Sequence, residues 1–146
     1  MIGIIHRVLF ELLEREGGAE LAQRVGAAAG LSPDAVRISD TYPDEQLKRL
    51  LEAALAQTGM SRQDLVDAYA QAFLDYALAL FPAFFAMASD SRDFLRRQPK
   101  IHTTLGAGLA ALEDRQNVHQ KFQLEEADDG SLLVSYRSVT GLCDLY

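Results

Sequence analysis

Tyr136, Ser138 and Thr140 alternate with Arg137 and Val139 near the end of the 146-residue chain. Successive side chains leave opposite faces of a strand, so an extended segment here would line up three hydroxyls on one side. Such a row can donate hydrogen bonds to an anionic group, and bonds to a charged acceptor are strong and directional. Upstream, His102 shares a helical face with Leu105, Leu109 and Leu112. A neutral imidazole is a good ligand for a transition metal. One imidazole and one carboxylate-gripping row are the two holds an iron porphyrin needs, an axial ligand and a clamp for its propionates. Without further information, a core histidine bonded to a backbone group is the simpler reading of His102. Tyr136 and Ser138 could also be an ordinary half-buried strand face, a weaker alternative because a buried tyrosine hydroxyl seeks a polar partner.

The elements that would position these groups follow from periodicity and punctuation. Ile2, Ile5, Leu9 and Leu12/Leu13 recur at helical spacing, so an amphipathic helix opens the chain and ends at Gly17-Gly18. His6 falls at the boundary of its apolar face. A second helix is predicted over 19–29, stopped by Gly30. Ser32-Pro33-Asp34 has the form of a helix start, with loop over 36–41. Pro43 opens a helix over 43–57 that Gly59 closes, with Asp44 and Glu45 in its first turn, where the dipole favours anions. Ser61 and Asp64 form a capping-box pattern before a long helix over 61–80. Pro82 must kink or restart that helix. The apolar set Phe73, Ala77, Leu78, Phe81, Phe84 and Phe85 reads as helix core. Ser89 and Asp90 cap a short helix holding Phe94 and Leu95, and Pro99 opens another that carries His102.

The period then changes from 3.6 to 2. Phe122, Leu124 and Glu126 alternate with Lys121, Gln123 and Glu125, and Asp129-Gly130 signals a two-residue hairpin turn. Leu132, Val134, Tyr136 and Ser138 fall on one face of the return strand, and Glu125, Glu126, Asp128 and Asp129 form a solvated tip. The fold expected is α+β, mainly α, a single domain over 1–146 with an N-terminal helical block and a C-terminal antiparallel hairpin. A bare two-stranded ribbon is marginally stable, so it must lie on the helices or pair with another chain.

Composition narrows the function. Hydrophobic residues make 49% of the chain and charged residues 24%, which suits a globular protein with a core. A net charge of −7 argues against nucleic acid as a partner. No stretch is apolar enough to span a membrane or serve as a signal peptide. The lone Cys143 excludes an internal disulfide, reads as a small buried hydrophobe and suits a cytoplasmic protein. His119 lies in a polar run and reads as surface. There are no paired catalytic carboxylates, no phosphate-cradling glycine loop and no nucleophile elbow, so an enzyme is not expected.

Several segments, in order, resemble the haem–nitric oxide/oxygen binding (H-NOX) family. They are Met1-Ile2-Gly3-Ile4-Ile5, Tyr42-Pro43-Asp44-Glu45-Gln46-Leu47, Gln57-Thr58-Gly59-Met60, Leu80-Phe81-Pro82-Ala83-Phe84-Phe85, Asp93-Phe94-Leu95, Ile101-His102 and Tyr136-x-Ser138. The resemblance implies haem b with His102 as proximal ligand and Tyr136 and Ser138 at the propionates. Ile5, Leu105 and Leu145 would line the cofactor. Three features depart from the family pattern. Its motif arginine is Thr140 here, which removes a bidentate carboxylate fork. A haem-packing proline falls on Gln120. Family chains would also run past Tyr146, so a second copy could complete the sheet in a homodimer. Arg7, Arg96, Arg97 and Lys100 are the cations that could stand in for the lost arginine.

The resemblance also implies a sensor role. The family's oxygen-stabilising tyrosine falls on Leu145 and its supporting positions on Leu9 and Phe73, all apolar, so nitric oxide or carbon monoxide would be favoured over oxygen. Gas binding would weaken the iron–histidine bond and shift the helix of His102 against the N-terminal helices. A separate histidine kinase or cyclic-dinucleotide enzyme would read the change. The competing expectation, motivated by Thr140, Gln120 and the short C-terminus, is a haem-less interaction module.

Overall fold

The structure, a computed structural model, describes residues 2–107 and 122–136. It divides at Ala77/Leu78 into two compact units. The architecture is α+β and mainly helical, as the sequence predicts.

The first unit is built on α1 (Gly3–Ala29), which leaves helical geometry at Gly17 and Gly18. Gly18 has φ 74° and ψ 176°, a conformation essentially confined to glycine, so the predicted break between two helices is present as a kink. Gly30 ends the element in the left-handed region at φ 70°. A 3₁₀ turn, Pro33–Ala35, follows, and then α2 (Asp44–Thr58), closed by Gly59 at φ 69°. Ile2 pairs with Thr41, and Gly3 N–H donates to the Asp40 carbonyl at 2.7 Å, which ties the chain start to the 36–41 loop. Leu9, Phe10, Leu12 and Leu13 of α1 and Leu47 and Leu50 of α2 are fully buried.

The third helix, α3 (Arg62–Leu80), adds Leu65 and Tyr69 to that core. Its start is the reciprocal cap the sequence announces. Asp64 N–H donates to Ser61 Oγ at 3.1 Å, and the Ser61 hydroxyl donates to the Asp64 carboxylate at 2.7 Å. Ser61→Ala should lower stability by about 1 kcal/mol, seen as a drop of a few degrees in thermal midpoint; an unchanged midpoint would show the cap to be idle.

The second unit holds α4 (Pro82–Ala86), α5 (Ser91–Ala107), β1 (Phe122–Glu126) and β2 (Leu132–Tyr136). Two expectations change here. The pair of helices predicted around Pro99 is one helix with Pro99 inside it. The cap explains why: Asp93 N–H donates to Asp90 Oδ1 at 2.8 Å, and Ser89 N–H to Asp93 Oδ2 at 3.1 Å. No capping side chain stands before Pro99, where Arg96, Arg97 and Gln98 precede it.

The hairpin turn also differs. Ala127 N–H donates to the Ser131 carbonyl at 3.0 Å and Gly130 N–H to the Ala127 carbonyl at 2.8 Å, leaving a three-residue loop over 128–130. Gly130 alone takes positive φ (79°), whereas a two-residue type I′ turn would need it at Asp129 too. The strands are antiparallel, with Phe122 opposite Tyr136 and Glu126 opposite Leu132.

The aromatic set expected as core is not fully buried. Phe73, Ala77, Phe81, Phe84 and Phe85 are half-buried and Leu78 is exposed. Phe85 stacks on Phe94 of α5 at 4.8 Å between centroids, so its partner is a ring rather than a packed interior. Among the described residues, no helix is long and apolar enough to cross a membrane.

Candidate functional site

His102 sits half-buried in the last turns of α5. With 3.6 residues per turn, its face is shared by Pro99, Gln98 and Leu95 toward the helix start. Leu95 is 38% exposed, so this face presents an apolar side chain close to the imidazole's row. The backbone on either side is unusual. Pro99 has no N–H to give to the Leu95 carbonyl. The Thr103 hydroxyl donates to the Pro99 carbonyl at 2.8 Å and the Thr104 hydroxyl to the Lys100 carbonyl at 2.9 Å. Hydroxyls returned to the preceding turn in this way tend to bend a helix.

The cations nearest His102 in sequence are turned elsewhere. Arg96 donates to Glu126 Oε1 at 2.6 Å, and Arg97 Nε donates to Asp93 Oδ2 at 3.0 Å. The latter bond, after that from Ser89 N–H, holds the Asp93 carboxyl below its usual range. Lys100 is two residues from His102, about 200° around the helix, and so lies on the opposite side. In the first unit, Arg7 donates to the Val36 carbonyl at 2.8 Å. Arg7, Arg96 and Arg97 are thus each engaged with another acceptor among the described residues.

The hydroxyl row is described only at its first member. Tyr136 closes β2 opposite Phe122. The side chains of Tyr136 and Leu105, and the whole of Ser138, Thr140 and Leu145, lie outside the described residues, as do Gln120, His119 and Cys143. His102 and the strand of Tyr136 belong to the same unit, where α5 packs against β1.

In the first unit, Ile5 is buried at the start of α1, and its carbonyl accepts a hydrogen bond from the Tyr69 hydroxyl at 3.1 Å. Burial pushes the Tyr69 phenol well above its usual range. Leu9 is fully buried, and Phe73 packs on Tyr69 at 6.2 Å between centroids. Sequence reasoning passed over Tyr69, although its spacing from Leu65 and Ala72 was a core signature.

His6 needs correction. Expected at a boundary, it has 0% exposure, and neither ring nitrogen has a hydrogen-bond partner among the described residues. Its ring lies 5.0 Å from that of Tyr42. Burial lowers its pKa from 6.5 to about 4, against the weaker upward pull of the Ile2 carbonyl and the Asp44 carboxylate. The segment that covers it arrives from some 36 residues downstream, which α1's own periodicity does not report.

Comparison with known proteins adds three findings. No curated protein sequence matches the chain. Among the solved structures that share its fold are a singly substituted and a doubly substituted variant of the Tt H-NOX domain. They superpose with TM-scores of 0.65 and 0.64 at 14% identity, each covering 94% of this chain and 96% of the other. At that identity the likeness speaks for the fold alone. The family model described as Haem-NO-binding matches residues 2–146. Because that match leaves out only Met1, the chain belongs to the Haem-NO-binding family.

Proposed function

We propose that this chain is a haem-based gas sensor, with His102 as the axial ligand and Tyr136 and Ser138 holding the propionates. The observation that carries the reading is a half-buried imidazole on α5, with an exposed Leu95 two turns back on the same face, in a chain matched over residues 2–146 by a haem-binding family. One imidazole cannot hold a bare metal ion, which needs several donors. Among the described residues no group of three or more His, Cys, Asp or Glu could supply them. A porphyrin brings its own in-plane ligands, so the donor set fits haem. When bound, haem supplies an iron centre able to take a diatomic gas.

The chain's own residues set the rest. His102 fixes the cofactor to α5. The hydroxyls of Tyr136 and Ser138 orient the propionates without the charge of an arginine, so the grip is weaker than a fork would give. By resemblance to the family, the positions that would hold a hydrogen-bond donor to a bound gas carry Leu145, Leu9 and Phe73, none of which has one. Bound dioxygen needs such a donor and nitric oxide does not, so nitric oxide is the preferred ligand. The output is a movement of α5 read by a separate protein, a histidine kinase or a cyclic-dinucleotide enzyme, in the cytoplasm.

Purified protein given haem should take up one equivalent and show a Soret band. That band should move on exposure to nitric oxide and stay in place under air. A protein that stays colourless with haem in excess would end this reading in favour of a haem-less interaction module. A stable oxygen complex would end the nitric oxide preference.

A further inference from the structure

Arg92 and Arg96 stand one turn apart on α5, in the stretch leading to His102. Both reach the same carboxylate oxygen, Glu126 Oε1, at 2.9 Å and 2.6 Å. Arg92 also donates to the Gly130 carbonyl. Glu126 is the last residue of β1, and Gly130 closes the turn that follows, so α5 grips the hairpin on both sides of its loop. Two guanidinium groups at this spacing would repel each other, and the carboxylate between them removes that cost. The two arginines in turn hold the Glu126 carboxyl below its usual range. Arg97 takes no part, being paired with Asp93.

Among the described strand residues Leu124 and Leu132 are half-buried, and the rest of the ribbon's apolar surface faces solvent. A two-stranded sheet is marginal alone. Leu133 is 58% exposed and Val134 is exposed as well, so burial of these apolar residues contributes little. The ladder carries the grip onward: Glu126 pairs with Leu132, and the same strand ends at Tyr136.

We propose that the Arg92–Glu126–Arg96 triad locks the hairpin to the helix of His102 so that the two move as one body, which makes Glu126 a positioning residue for the haem site. The last clause rests on the sensor reading; the locking does not. A displacement of α5 then carries β2 with it, and the strand of Tyr136 follows the imidazole. The side chains are between 40% and 48% exposed, so the lock weakens as salt screens it.

The test uses the whole chain as wild type, as Glu126→Gln, and as the charge swap Arg96→Glu with Glu126→Arg. Amide hydrogen exchange is followed over 91–107, 122–126 and 132–136. At low salt Glu126→Gln should speed exchange in the two strands on the order of five- to tenfold, and the swap should restore most of it. The difference should shrink in about 0.5 M salt. In haem-loaded protein Glu126→Gln should also shift the iron–imidazole stretching band, and the swap should return it. Strand exchange equal to wild type at low salt overturns the lock. Faster exchange with an unmoved band overturns the positioning role. A wild type that takes no haem removes the sensor reading and the positioning role with it, while exchange still decides the lock.

Discussion

His102→Ala is expected to abolish stoichiometric haem uptake, with haem affinity falling on the order of a hundredfold or more. Loss of an outer-shell partner of a metal ligand already costs roughly 10- to 100-fold, and loss of the ligand itself removes the bond that the partner only orients. The fold should survive. His102 is half-buried rather than core, and Ala favours a helix more than His does. Far-ultraviolet circular dichroism and the thermal midpoint of the cofactor-free protein should therefore match wild type. His102→Gly with free imidazole in the buffer should recover the Soret band, because the small molecule can occupy the space the side chain leaves. A His102→Ala protein that keeps its full Soret band would move the axial ligand elsewhere. A variant that simply unfolds would show His102 to be a structural histidine, the simpler reading of the sequence.

The contrast between what the chain announces and what it conceals follows the range of the forces involved. Gly18, Gly30 and Gly59 take backbone angles that side chains resist, and the Ser61–Asp64 pair closes its own bonds within four residues, so these signals act locally and were legible. Pro99 misled because a proline suits either the first turn of a helix or a tolerated kink, and only the competing cap at Asp90 and Asp93 decides. Asp129-Gly130 misled by one register step, since a dipeptide does not say which of its residues will take positive φ. The aromatic run around Phe81 has helical spacing but not a covering partner, and spacing alone cannot report cover. The candidate site divides the same way. The proposal of His102 rests on its helical face and its place in a family pattern. The grip of Arg92 and Arg96 on Glu126 spans more than 30 residues of sequence, and nothing local marks it.

Acidification should destabilise the first unit through His6, and His6→Leu should remove that sensitivity. Burial lowers the folded-state pKa to about 4 from 6.5, so the folded protein excludes a proton that the unfolded chain accepts. For a base shifted in this direction, the stabilisation is fully present above the unfolded value near 6.5 and is lost as pH falls toward 4. The loss amounts to about 2 kcal/mol by pH 5 and about 3 kcal/mol by pH 4. Carboxylates titrate over part of the same range, so the quantity to measure is the difference between wild type and His6→Leu in denaturant unfolding at each pH. At pH 7.5 the variant should match or exceed wild type, because both ring nitrogens are buried without partners and an apolar side chain relieves that cost. Between pH 7.5 and 5 the two curves should separate by about 2 kcal/mol in favour of the variant. Parallel curves would mean that the folded protein admits the proton, as it would if Asp44 or the Ile2 carbonyl moved in to bond the ring. Ile5 adjoins His6, and the Tyr69 hydroxyl donates to the Ile5 carbonyl, so the segment that loosens in acid is the start of α1 together with its tie to α3.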